Sequence, residues 1–327
     1  MYKYIVGNDN GNSEHKIAIN GEMIRQPNVY AKVRKLPMIE QLKEESVLKD
    51  IEKNLIVTIN SISNQDIEPG HYLIGEYDVS SGATVRSIEV GVDNSKIDSN
   101  IVVVNTLAQI AGKACKEYYM ENKTLEGLDK NEIFVQVDMA TALPIKQFSN
   151  KTAEEFNLKF EGLHDVIVHV GAYNVKVRIE CTFVKTIPEG VTATWVLRSD
   201  EKIFEEYNEM VDEFNKEHQD IKKEKISCKD LKNAKILHIA IGEGTTELPV
   251  TQGIEFNPNF IRGIDNGIGH AIDKSIDEFI NTFGLAEYSR QKYSEVLKNP
   301  THKYHDVAMD IASDYIEEQA EQILHAA

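Results

Sequence analysis

Two rhythms of apolar residues divide the chain. YKYIV (Tyr2 to Val6) and KIAI (Lys16 to Ile19) predict short strands around a polar turn. NLIVTINSI and GHYLIGEYDV, rich in Ile, Val and Tyr, also read as strands. IFVQVDMATALPI predicts a strand over Ile133 to Met139 that runs into a turn at Pro144. DVIVHV, YNVKVRIECTFVKTI and TATWVL continue the strand signal, the middle one alternating with period two. Elsewhere the period lengthens to about 3.6. DSNIVVVNTLAQIAGKACKEYYMENK predicts a helix from an N-cap at Asp98 or Ser99 to about Asn122. IEQLKEESVLKDIEKN has helical character, and SDEKIFEEYNEMVDEFNKEHQDIKKEKI predicts a charged helix. Its apolar stripe is Ile203, Phe204, Tyr207, Met210, Val211 and Phe214, and its acidic side is a solvated face. KILHIAIGEGTTELPVT returns to strand, turn and strand, and Ile264 to Ala327 reads as helices broken near Gly284 and Pro300. Strand and helix in alternating blocks predict an α/β fold.

Composition narrows the function classes. The 327 residues favour two domains, and the absence of a low-complexity linker predicts that they are closely joined. Lys plus Arg number 36 against 53 Asp plus Glu, a net charge of −17 that disfavours direct nucleic-acid or anionic-membrane binding. Cys115, Cys181 and Cys228 are scattered without a CxxC, as in a reducing compartment. MYKYIVGNDN lacks a secretory apolar core, and no apolar run approaches the roughly 20 residues of a membrane span. The expectation is a cytoplasmic protein.

Two segments share one design. YIVGNDNGNSEHKIAI and ILHIAIGEGTTELPVT each place a turn of glycine and small polar residues between apolar strands. Gly11, Gly242 and Gly244 are expected to permit positive φ and a close ligand approach. Backbone N–H groups in such turns form anion-binding concavities. Asn12, Ser13, Thr245 and Thr246 add polar side chains, Lys16 a cation, and Asp9 an acid able to hold hydrated Mg²⁺. Asn10-Gly11 is also a favoured hairpin dipeptide whatever the function. The second turn tips the balance, because two phosphate-cradling hairpins are what clamping a polyphosphate between related domains requires.

With these residues in place, the sequence resembles the actin, hexokinase and heat-shock ATPase superfamily, and more closely the bacterial plasmid-segregation actins of the ParM/StbA type. The first phosphate motif lies on Asp9, Gly11, Asn12, Ser13 and Lys16, and the second on Gly242, Glu243, Gly244, Thr245, Thr246 and Glu247. VDMATALPI, with Asp138, Leu143 and Pro144, matches the connecting segment. RGIDNGIGHAI, with Gly263, Gly267 and Gly269, matches the adenosine-side glycine motif. In TFVKTIPEGVTATWVL the resemblance makes Glu189 the residue that positions the attacking water, with Asp138 a second catalytic candidate. Apart from the resemblance, Pro188-Glu189-Gly190 is a good turn sequence. Ala240 departs from the family, which has an aspartate there; the resemblance leaves that role either to Glu243 or Glu247, or to a site leaning more on Asp9 and Asp138.

The resemblance implies an actin-like fold of two related domains around a nucleotide cleft. The first covers 1–198, with a small subdomain inserted at about 31–98, and the second 199–327, with a helical subdomain at about 271–327. It also implies a further strand and glycine-rich turn beyond IEEQAEQILHAA. The implied cofactors are ATP, with GTP left open, and Mg²⁺. The implied partners are other copies of the chain, head to tail in a filament, and a DNA-binding adaptor; hydrolysis would loosen the filament. A small-molecule kinase of the same superfamily, or a filament protein with little hydrolysis, are the alternatives. Of the remaining features, His302, His305 and Asp306 read as surface residues rather than metal ligands. Trp195 and Val196 read as core, and Tyr118 and Tyr119 as packing residues.

Overall fold

The computed structural model describes residues 1–88, 95–128, 130–218, 220–253 and 255–326. The chain divides into two compact units. The first comprises 1–143, 147–187 and 276–309, and the second 144–146, 188–275 and 310–327.

The first unit carries one ten-stranded sheet. Its strands are β1 (Tyr2–Asn10), β2 (Glu14–Ile19), β3 (Glu22–Pro27), β4 (Val29–Val33), β5 (Ile56–Ser61), β6 (Gly70–Ile74), β7 (Arg86–Ser87), β8 (Ile133–Leu143), β9 (Gly162–Val170) and β10 (Tyr173–Pro188). They lie in the order β3-β2-β1-β8-β10-β9-β5-β6-β4-β7. Residues 31–98, expected as an inserted subdomain, thus supply strands to the same sheet as the opening hairpin. β1 and β8 are parallel, with Tyr4 opposite Val137, and β1 and β2 are antiparallel, with Val6 opposite Ile19. The alternation predicted for β10 is real, with Val175, Val177 and Ile179 buried.

The α-helices described before β8 are α1 (Glu44–Lys49), α2 (Glu76–Ser81), α3 (Ser95–Asp98) and α4 (Ile101–Asn122). Every residue of α4 from Ile101 to Cys115 is buried, the polar Asn105, Thr106, Gln109 and Lys113 included. It packs in one core with Tyr4, Val6, Val135, Val137, Val166, Val168 and Val177 of the sheet. Tyr118 and Tyr119 pack against that core from the end of the helix. The N-cap is Asn100 rather than Asp98 or Ser99. The expected charged helix after Pro37 contracts to α1. The strand expected through GEYDV stops at Ile74, because Gly75 (φ 57°) turns the chain into α2 and Gly82 (φ 74°) closes it. α5 (Asn150–Leu158), which begins at a Ser149–Thr152 capping box, was not anticipated.

The second unit opens with α6 (Thr192–Ser199) and α7 (Glu201–Glu217). TATWVL is therefore helix, not strand: Gly190, with φ 80°, ends β10 and redirects the chain. Val196, expected in the core, is 52% exposed on α6. The side chain of Trp195, expected there with it, lies outside the described residues. α7 is capped by Asp200 and buries Phe204 and Val211. β11 (Lys235–Leu237), β12 (Ala240–Ile241), β13 (Thr246–Gln252) and β14 (Glu255–Ile264) form the second sheet, in which β13 pairs with the other three. β14 was not anticipated. α8 (Ile268–Phe283) and α10 (His305–Ala326) have residues in both units, and α9 (Arg290–Lys298) belongs to the first. No described helix is long and apolar enough to cross a membrane.

Candidate functional site

The first hairpin joins β1 to β2 through residues 11–14, with Asn10 opposite His15. Gly11 N–H donates to Glu14 O at 2.9 Å and closes the turn. The carbonyls of Gly11 and Ser13 are taken by one residue: Asn28 Nδ2 donates to Gly11 O at 2.7 Å, and Asn28 N–H to Ser13 O at 2.7 Å. Among the described bonds, the N–H groups of Asn12 and Ser13 have no protein acceptor. Asp9 faces the opposite side of β1 from buried Asn8 and Asn10, and stands 3.6 Å from Lys16 across the strand pair. Lys16 also approaches Glu14 at 3.9 Å.

The second hairpin repeats this construction with different parts. It joins β12 to β13 through residues 242–245, with Ile241 opposite Thr246. Gly242 N–H donates to Thr245 O at 2.8 Å. Here the turn carbonyls are taken by the start of α8. Ile268 N–H donates to Gly242 O at 3.0 Å, Gly269 N–H to Glu243 O at 2.7 Å, and His270 Nε2 lies 3.2 Å from Gly244 O. Thr246 Oγ1 adds a bond to Asn266 O at 2.6 Å.

Gly11 and Gly242 are not in the left-handed region, contrary to expectation. Their value lies in close approach: a Cβ would stand 3.0 Å from Glu14 O at Gly11, and 3.0 Å from Thr245 O at Gly242. Gly267 is more constrained. A Cβ there would lie 2.7 Å from Gly242 O and nearer still to Glu243 O, so the helix start can reach the turn only with glycine.

An acidic cluster lies next to the second hairpin and within the same unit. Glu247 is 2% exposed and stands opposite Ala240 on β12. Its Oε2 accepts the Ile145 N–H at 3.2 Å, and its Oε1 is buried. Burial, then the nearby Glu189 carboxylate, pushes the Glu247 carboxyl up to about 7. Lys146, beside Ile145, pairs with Asp265 at 2.5 Å. Gly263, opposite Glu247 on β14, makes room for both: a Cβ would lie 2.8 Å from Glu247 Oε2 and 2.9 Å from Lys146 Cγ. Glu189 follows the end of β10, and Gly190 brings the chain against Pro249 and Ala240.

The structure thus gathers Gly11, Asn12, Ser13, Asp9 and Lys16 at one turn. It gathers Gly242, Glu243, Gly244, Thr245, Thr246, Gly267 and Gly269 at the other, with Glu189 and Gly263 near Glu247. Asp138 is not brought to the first turn. It lies opposite Ile5, exposed, and accepts from Thr182 Oγ1 at 2.9 Å. Asp9 is four residues further along β1, roughly 13 Å away along the strand. Asn28, Asn105, Ile145, Lys146 and Asp265 were missed. The one legible signal was Asn105-Thr106 within the apolar first half of α4. His305 Nδ1 is 3.0 Å from Val296 O, and His302 stands beside Tyr304. Among the described residues, no three His, Cys, Asp or Glu side chains are grouped to hold a metal. Asp9 alone fits a metal that arrives with phosphate and keeps most of its waters.

A family model described as the N-terminal domain of actin-like proteins matches residues 7–191. No curated protein matches the chain. Among solved structures, the actin-like protein Alp7A superposes with a TM-score of 0.66 at 16% identity, over 98% of this chain and 79% of its own. ParM of Bacillus thuringiensis with ATP gives 0.59 at 18% identity, over 98% and 83%. Ta0583, an archaeal actin homolog, gives 0.59 at 15% identity, over 98% and 81%. At these identities the likeness is one of fold.

Proposed function

The chain belongs to the actin-like proteins, and from that premise we propose that it is a nucleotide-dependent, filament-forming ATPase of the plasmid-segregation type. The observation that carries this reading is the matched pair of turns. Each is closed by the same glycine N–H bond and has its carbonyls drawn off by another segment. Removing carbonyl oxygens from the face of a turn leaves amide dipoles to meet negative charge, which is how backbone binds phosphate. The Bacillus thuringiensis ParM structures with ATP, AMPPNP and ADP agree with a nucleotide as the ligand.

In this reading a turn of this construction supplies amides to phosphate, and at the first turn Lys16 exchanges its Asp9 partner for a phosphate oxygen. Mg²⁺ offsets phosphate charge, and Asp9 is the residue that would hold it through water. Glu189 orients the attacking water. Glu247 supplies the acid that Ala240 lacks, from the facing strand. Copies associate head to tail, a contact that does not close and so produces polymer. An acidic cytoplasmic filament would reach plasmid DNA through a basic adaptor rather than directly.

Ala240 favours a second reading, a filament protein that binds nucleotide and scarcely hydrolyses it. Right-angle light scattering of micromolar protein after addition of Mg-ATP separates the two, when run with a phosphate-release assay. A rise followed by decay, with phosphate released, supports coupled turnover. A stable plateau without phosphate supports the second reading. A flat trace rejects both and leaves a monomeric kinase-like enzyme.

A further inference from the structure

Polar side chains buried in the first unit concentrate at one end of its sheet. Gln26, His15 and Asn10 lie on one row across β3, β2 and β1, and Asn8 and Thr141 face each other on β1 and β8. All are at most 4% exposed. Asn8 Oδ1 receives Asn10 Nδ2 at 3.0 Å and Thr106 Oγ1 at 3.2 Å, and lies 2.8 Å from His15 Nε2. Thr106 comes from α4, so the helix is bonded to the strands that carry the first turn. Burying polar groups is unfavourable unless they are hydrogen-bonded, and this network is only partly satisfied: Asn8 Nδ2, Gln26 Nε2 and Oε1, and Thr141 Oγ1 are buried with no partner among the described residues.

A second line of bonds leads from the same helix to the turn itself. Asn105, next to Thr106, donates from Nδ2 to Asn28 Oδ1 at 2.8 Å and to Val29 O at 3.3 Å. Asn28 then donates from Nδ2 to Gly11 O at 2.7 Å. Both asparagines are fully buried. An asparagine amide can sit either way round, and its partners decide which. With Asn105 donating to its oxygen, the NH₂ of Asn28 must point at the turn. Were the amide reversed, its oxygen would face Gly11 O and repel it.

We propose that Asn28 and Asn105 are positioning residues for phosphate at the first turn, Asn105 fixing the Asn28 amide and Asn28 drawing the Gly11 carbonyl away from the ligand. This rests on the nucleotide reading above only in naming ATP; the relay itself requires a polyphosphate chain of any origin. Neither residue touches the ligand. The second turn reaches the same end through the backbone of Ile268 and Gly269, which explains why an asparagine pair is needed only at the first.

The test uses the full chain and the variants Asn28→Ala and Asn105→Leu. Asn28→Ala keeps the backbone bond to Ser13, and Asn105→Leu keeps the branched shape of the side chain without its hydrogen-bonding groups. Calorimetry measures binding of inorganic tripolyphosphate, Mg-ATP and adenosine. Both variants are expected to lose roughly 10- to 100-fold in tripolyphosphate and Mg-ATP affinity, the effect of one misdirected buried bond. Adenosine, which lacks phosphate, should bind as in the wild type. Unchanged tripolyphosphate binding, or an equal loss for adenosine, overturns the relay. Wild type that binds tripolyphosphate but not Mg-ATP, with the variants weakened, upholds the relay and removes the nucleotide reading. Wild type that binds neither overturns both. If the variants do not fold, hydrogen exchange on the wild type decides: tripolyphosphate should protect the Asn12 and Ser13 amides, and unprotected amides overturn the relay.

Discussion

Glu247 stands directly across a strand pair from Ala240, so a buried carboxylate faces the rung where the neighbouring strand offers only a methyl group. Side chains paired in this way have Cβ atoms about 5 Å apart. The acid is therefore present at this rung but rooted one strand over. Its Oε1 is buried, and its Oε2 accepts from Ile145.

That burial sets the first prediction. The folded-state carboxyl titrates near 7, above its ordinary value of 4.5. The folded protein thus holds a proton that the unfolded chain releases between those values, and stability falls as pH rises through that window. Glu247→Gln keeps the acceptor for Ile145 without the charge. It should be more stable than wild type by about 3 kcal/mol at pH 8 and equal to it below pH 4.5. Urea denaturation at the two pH values measures this.

Glu189→Ala should slow phosphate release from ATP at least tenfold while leaving the dissociation constant for Mg-ATP within about twofold, as expected for a group that acts on water and not on the nucleotide. Single-turnover phosphate release and equilibrium binding are the paired measurements. Unchanged release would return Pro188-Glu189-Gly190 to a plain turn.

His15 makes the opposite kind of pH dependence. It is fully buried, and burial followed by the charge of Lys96 lowers its titration from 6.5 to about 3. The unfolded chain takes up a proton between those values and the folded protein does not, so stability is lost as pH falls from 6.5 toward 3. The loss should reach roughly 5 kcal/mol near pH 3 from this one residue. Histidine NMR should show a neutral ring at pH 5, and a charged ring at that pH would contradict the packing described.

Gly267→Ala and Gly11→Ala should differ sharply. At Gly11 the added methyl meets Glu14 O at 3.0 Å, which a small shift relieves. At Gly267 it strikes two carbonyls of the second turn, the same two that Ile268 and Gly269 at the start of α8 hold by hydrogen bonds. The expected effect is under about 1 kcal/mol for Gly11→Ala and 3 kcal/mol or more for Gly267→Ala. Thermal denaturation of the two proteins is sufficient.

Local pattern carried much of this protein. The alternation of YNVKVRIECTFVKTI, the apolar run of IVVVNTLAQIAGKAC and the two glycine-bearing turns each lie within a few residues, where backbone period and turn chemistry act directly. They were enough for the α/β class, for β10 and α4, for the likeness of the two hairpins and for the family. The same local reading failed at TATWVL and at GEYDV, where Gly190 and Gly75 adopt positive φ and override strand-forming residues.

What holds the candidate site together is not local. Asn28 and Asn105 are 77 residues apart, and Ile145 and Glu247 are 102 apart. No period or spacing connects them, and an asparagine in an apolar helix announces that it has a partner without naming it. A carboxylate's environment is likewise set by what encloses it: Glu247 reads as one more acid in GEGTTE until β12, β14 and the Ile145 turn close around it. Local sequence determined the two glycine-bearing turns at Gly11 and Gly242. Hydrogen bonds and burial, which exist only once distant segments meet, decided which way those turns face and which acid sits beside them.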